Sequence, residues 1–224
     1  MHRDVLAAML GGALVFLAAF AGPAAAESTN AAPIIHMGSA ETDPAKLPLL
    51  DDAGRKSLAT VIGELKSGKI SSFVFSVTPD GRGYQPTMAG KGVFESLSDL
   101  ARQSLEGCEY PWYRRCIILS INGHDARDAN GDYPLQPAML SQAPARFDPW
   151  RVPFVSQVER AKLHGYMESG APRAFVVTTV GNWLWRSGKT IFEAIATAQK
   201  ECKTQFPTAI CVLYAVNDKV VMAQ

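Results

Sequence analysis

The chain has 224 residues, 47% of them hydrophobic, with 22 Lys and Arg against 21 Asp and Glu and a formal net charge of +1. That balance leaves no electrostatic footprint for nucleic acid. The local charge runs, "WYRRC" at 112–116 and "DARDANGD" at 125–132, are short.

In chain order, the first feature is an address. Arg3 precedes an apolar run from Val5 to Phe20, then a helix-breaking Gly22-Pro23, then Ala24-Ala25-Ala26. This reads as a signal peptide over 1–26, cleaved before Glu27. An uncleaved anchor is the alternative, but the run is near the lower length limit for spanning. With no Cys at the cleavage site a lipid anchor is not expected, and no second run could span a membrane. The expected location is periplasmic or secreted. Residues 27–50, rich in Ala, Pro, Ser and Thr, read as a disordered leader.

The remainder is a duplication, repeat 1 over 51–126 and repeat 2 over 153–224, joined by a Pro/Gly-rich connection at 127–152. Ser67-Gly68 matches Ser169-Gly170, and Phe73-Val74 matches Phe175-Val176. Leu97, Leu100, Ala101, Ser104 and Cys108 match Ile191, Ala194, Ile195, Ala198 and Cys202, one stripe of an amphipathic helix in each copy. "CIILSINGH" matches "CVLYAVNDK", nearly continuous apolar runs that suit a buried strand ending in a turn. Each copy therefore reads helix, strand, strand, helix, strand, an α+β fold. Leu58, Val61, Ile62 and Leu65 mark the leading helix of repeat 1; the leading helix of repeat 2 is less periodic. The middle strands form hairpins, turning at Pro79-Asp80-Gly81 and at Gly181-Asn182.

The four cysteines fall at matched places. In an exported chain they predict local disulfides, Cys108–Cys116 and Cys202–Cys211.

"GNWLWRSGKT" imitates a phosphate-binding loop through Gly188-Lys189-Thr190. The first glycine of such a loop belongs at position 183, which is Trp183, and the intervening residues alternate as a strand does. Thr190 and Glu193 instead form a capping box, repeated more weakly by Ser96 and Asp99. No nucleotide and no other cofactor is expected. Asp125, Asp128, Asn130 and Asp132 offer alternating oxygens for calcium, but Tyr133 stands where the loop glycine should be and no Glu closes a twelve-residue loop.

The remaining candidates are aromatic. Tyr110, Trp112, Tyr113, Arg114 and Arg115 lie inside the first disulfide loop, and Trp183 and Trp185 share a strand face, with Tyr84 as their counterpart. Aromatic and Arg clusters suit partner recognition. Cys202, Cys211 and "LYAVN" (213–217), after an "AFVV" hairpin, resemble the paired-cysteine repeats of small exported bacterial proteins of uncharacterised function. The likeness runs from about Leu58 to about Val221 and implies no catalytic residue. The reading is a non-enzymatic envelope protein that binds another envelope protein or a glycan through these loops. The alternatives are an envelope hydrolase using His124 with Asp125 or Asp128 near Trp150, and a purely structural periplasmic protein.

Overall fold

A computed structural model of the chain describes residues 32–140 and 144–222. The expected signal peptide lies outside them. Among the described residues no helix is long and apolar enough to cross a membrane.

Repeat 1 consists of α1 (Asp52–Lys66), β1 (Ile70–Val77), β2 (Tyr84–Gly90), α2 (Leu97–Trp112), β3 (Ile117–Ile121) and the short β4 (His124–Asp125). Repeat 2 consists of the short helices α3 (Gln157–Arg160) and α4 (His164–Glu168), then β5 (Arg173–Thr178), β6 (Trp183–Ser187), α5 (Ile191–Gln205), β7 (Cys211–Val216) and β8 (Lys219–Val220). The antiparallel sheets run β2-β1-β3-β4 and β6-β5-β7-β8, the same order twice. The fold is α+β, and the two local disulfides pair as the repeat predicts, with Cα–Cα distances of 6.3 and 6.2 Å.

The duplication is closer than the sequence alignment indicates, and its strand register is different. Thr78 and Thr178 open turns of the same kind, the first longer by one residue. Each carbonyl accepts the amide of a left-handed glycine, Gly81 (φ 74°) or Gly181 (φ 90°), and each hydroxyl accepts the amide that re-enters the hairpin, from Gly83 or Asn182. A Cβ on Gly81 would meet the Leu49 carbonyl oxygen at 1.5 Å, so glycine is required there twice over. The second turn thus spans Thr178–Gly181, rather than being a two-residue Gly181-Asn182 loop. At the other end of the strand, the amide of Phe73 donates to Asn122 Oδ1 and that of Arg173 to Asn217 Oδ1. Both asparagines are left-handed, φ 52° and 49°. Both sheets carry a bulge at the same step, between Phe75 and Ser76 and between Phe175 and Val176. Phe73 therefore corresponds to Arg173 and Phe75 to Phe175. The expected match of Phe73 to Phe175 was two residues out. A slip of two residues keeps every side chain on its own face, so hydrophobic alternation could not detect it.

Each sheet is covered on both faces. In repeat 1, Phe73, Phe75, Val77 and Leu119 pack under α1, while Val74 and Ile118 pack under Leu100, Ala101 and Leu105 of α2. The stretch expected to be a disordered leader joins this core in its second half, while residues 32–41 stay at the surface. Leu47 and Leu50 are buried against α1, Asp51 caps that helix by accepting the Gly54 amide, and Gly38 and Thr42 bond to the β4 region. Two leucines among small residues are enough to fix it, which composition alone conceals. In repeat 2 the continuous leading helix is replaced by α3, a 3-10 turn and α4. Phe147, Phe154 and Tyr166 fill the space that α1 fills in repeat 1.

The helices facing the other sheet surfaces share a cap. Ser96 Oγ accepts the Asp99 amide and Thr190 Oγ1 the Glu193 amide, each at 3.1 Å. Glu193 reaches back to the amide of Lys189, one residue earlier than the capping box predicts.

Candidate functional site

The disulfide-closed segment at the end of α2 brings the predicted aromatics close, in two different states. Tyr110 faces inward, its ring edge-on to Phe154 of the connection–repeat 2 boundary at 5.7 Å. Trp112 lies across the β1–β2 turn, where a Cβ on Gly83 would be 2.1 Å from its Nε1. Arg114 pairs with Asp80 of that turn at 2.6 Å. The bond, with the amide of Arg82 and the Thr78 hydroxyl, holds the Asp80 carboxyl below its ordinary value, the Thr78 hydrogen bond being the largest cause. The outer surface of the segment is exposed: Trp112 keeps 43% of its area accessible and Tyr113 76%, and Arg114 and Arg115 are also exposed.

Tyr113 is the C-cap of α2 and is left-handed, φ 51° and ψ 38°, a position glycine ordinarily occupies. A non-glycine residue there costs about 1 kcal/mol. Among the described residues, the one ring beside it is that of Tyr110, at 6.3 Å. Neither the core nor the backbone calls for a tyrosine at this site.

Trp183 and Trp185 do not form an exposed platform. Trp183 stacks on Phe175 at 6.2 Å and 11°, as Tyr84 stacks on Phe75 at 5.7 Å and 12°. Trp185 packs against Tyr166. Both tryptophans are half-buried and belong to the core of repeat 2.

The acidic turn closes on itself. Asp128 Oδ1 accepts the amides of Asn130 and Asp132, and Asp125 pairs with Arg127. Those amides, Asp132 first, hold the Asp128 carboxyl below its usual range. No cluster of metal-ligating side chains occurs among the described residues. His124 sits on β4 opposite Ile121, bridged to Glu41, and its buried Nδ1 has no hydrogen-bond partner, so no carboxylate orients it there.

The surface between the repeats has no signature in the residue pattern. The outer face of α2 is buried by repeat 2. Arg102 bridges Asp99 and Glu106, both at 2.6 Å, and donates to the Val155 carbonyl. Glu106 accepts the Phe154 amide, and Asp99 the Gln157 amide. Burial opposes the Arg102 charge, but Glu106 and Asp99 outweigh it and raise its pKa. Arg160, buried on carbonyls of Val152 and Trp150, is lowered to about 10, by burial first and then by Arg102. Gly107 lets the β5–β6 turn come close, since a Cβ there would be 2.8 Å from the Thr179 oxygen. Beside this junction a cleft of about 490 Å³ runs between Gln85, Met88, Glu95 and Gln103 on one side and Glu159 and Asn182 on the other. No histidine lines it. Burial raises the Glu95 carboxyl. These residues are scattered through both copies, so no spacing pattern links them.

No family model, curated protein or solved structure matches this chain.

Proposed function

We propose that the protein is a non-enzymatic binding module of the bacterial envelope, periplasmic or secreted, that engages a protein or glycan partner through the exposed face of Trp112, Tyr113, Arg114 and Arg115. The observation that carries this reading is Tyr113, a large aromatic held exposed in a backbone conformation that disfavours it. Strain retained without a packing return marks functional positions. The segment is also preorganised. The Cys108–Cys116 bond, the Trp112–Gly83 packing and the Arg114–Asp80 pair fix its shape before binding, which lowers the entropic cost of association. Two disulfides are consistent with export, since such bonds persist in oxidising compartments.

Tyr113→Gly separates folding from function. It should raise stability by about 1 kcal/mol in denaturant titration while abolishing crosslinked capture of the partner from native envelope fractions. Capture equal to that of the unaltered protein would overturn the assignment.

A further inference from the structure

Among the described residues, repeat 1 wears a strap that has no counterpart on repeat 2. After β4 the connection returns along the outer edge of β3, with Leu135 bridged antiparallel to Ile117. Glu109 Oε2 then accepts the amides of Met139 and Leu140, and the Met139 side chain packs on the cluster that includes Leu100, Ala101, Cys108, Ile118 and Ile121. Under this strap Cys116 is fully buried and Ile118 is 2% exposed.

Among the described residues, nothing covers the corresponding surface of repeat 2 in this way. Among the described residues none pairs with the outer edge of β7 at Cys211–Leu213 as Leu135 pairs with Ile117. Cys211 and Leu213 are only half-buried, and Ile210 beside them is 48% exposed. Val221 is 41% exposed, where its counterpart Ala126 is 2%. Further along, at the Val216 end of β7, a shallow, mostly apolar groove of about 640 Å³ opens, with Ile191, Ile195, Val216 and Val221 in its floor and Arg146 and Lys219 at its rim.

The charge of the surroundings has inverted. Lys203 stands at the position of Glu109, and Lys200 at that of Glu106. Lys219 replaces His124, and all three lysines are exposed. Asp218, the acidic residue of the rim, is engaged by Arg173. In repeat 1 a carboxylate receives strap amides; in repeat 2 ammonium groups can only donate, to carbonyls or carboxylates.

We infer that the groove over α5 and β7 docks an extended acidic-apolar segment of another polypeptide, with Leu- or Met-sized side chains in the groove and a carboxylate against the basic rim. The segment adds to the β7 edge as Leu135 adds to Ile117, with backbone hydrogen bonds along the edge and side-chain pockets for selectivity. This site is separate from the Trp112–Arg115 surface and stands independently of the function proposed for it.

The test uses the full chain and a synthetic probe, the strap sequence Leu-Gln-Pro-Ala-Met-Leu flanked by glutamates, with a lysine-flanked version and a scrambled version as controls. Backbone amide shifts on titration should be saturable and centred on Ile191, Ile195, Val216 and Lys219. Affinity should exceed that of the lysine-flanked and scrambled peptides by at least about tenfold. Lys203→Glu with Lys219→Glu should reverse the charge preference, a readout independent of folding defects. Ile195→Asp should abolish the shifts, and Tyr113→Gly should leave them unchanged. No saturable shift, equal affinity for the three peptides, or a groove closed by self-association of the chain in sedimentation would each overturn the inference. Partner capture lost in Tyr113→Gly would leave the other reading standing in every one of those cases.

Discussion

α2 and α5 carry the same inner stripe, the same hydroxyl cap and the same disulfide at the same turn, yet they meet different surroundings. On α2 the outer positions Asp99, Arg102, Glu106, Gly107 and Glu109 are shielded by the connection and repeat 2. On α5 the same positions are Glu193, Ala196, Lys200, Glu201 and Lys203, and only Ala194, Ala198 and Cys202 of that helix are buried. A duplicated unit thus keeps its core face, while its outer face is rewritten as junction in one copy and solvated rim in the other. The polar face of α5 resembles the cap of a repeat array, where continued stacking would need a face like that of α2.

Charge removal should separate the two helices most strongly. Arg102→Ala leaves Asp99 and Glu106 buried without their cation and should cost about 3–5 kcal/mol. Lys200→Ala, at the position matching Glu106, should change stability by less than about 0.5 kcal/mol. Both are read by chemical denaturation.

Glu109 gives a smaller, pH-dependent contrast. Burial, partly offset by the Met139 and Leu140 amides, lifts its carboxyl from 4.5 to about 7. Below about pH 4.5 the folded and unfolded chains both hold the proton and the native state has its full advantage. Between 4.5 and 7 the unfolded chain releases the proton first, so stability falls as pH rises. The loss should be on the order of 3 kcal/mol. Glu109→Gln keeps an oxygen for the two amides and should flatten that fall, read from denaturation midpoints across pH.

The caps should show no contrast. Ser96→Ala and Thr190→Ala should each cost about 1 kcal/mol. A much larger loss at Ser96 would show that the junction, rather than the shared cap, holds the start of α2.

The helix stripes, cysteine pairing and the succession of elements along the chain were legible because each rests on a short-range pattern: period 3.6, local spacing, alternation. The register was not, because a two-residue slip is invisible to alternation and only Thr78, Thr178, Asn122 and Asn217 fix it. The packing of 42–50 onto repeat 1 was hidden because its anchors, Leu47 and Leu50, are few and the composition around them resembles a linker. The exposed part of the candidate site was legible at Trp112, Tyr113, Arg114 and Arg115. Tyr110, Trp183 and Trp185 were chosen by residue type, and type does not distinguish a ring that packs inward from one that faces water. The buried charges of α2 looked in sequence like an ordinary solvated face, since partners 48 to 58 residues away decide otherwise.

Because Asp99, Arg102 and Glu106 of α2 bond to Gln157, Val155 and Phe154 of repeat 2, the two repeats should unfold as one cooperative body. Differential scanning calorimetry of the chain and of Arg102→Ala tests it most directly. The unaltered protein should unfold in one transition with calorimetric and van't Hoff enthalpies equal, and Arg102→Ala should split it into two. Two resolved transitions in the unaltered protein, or a single unsplit transition in Arg102→Ala at an unchanged temperature, would contradict the claim.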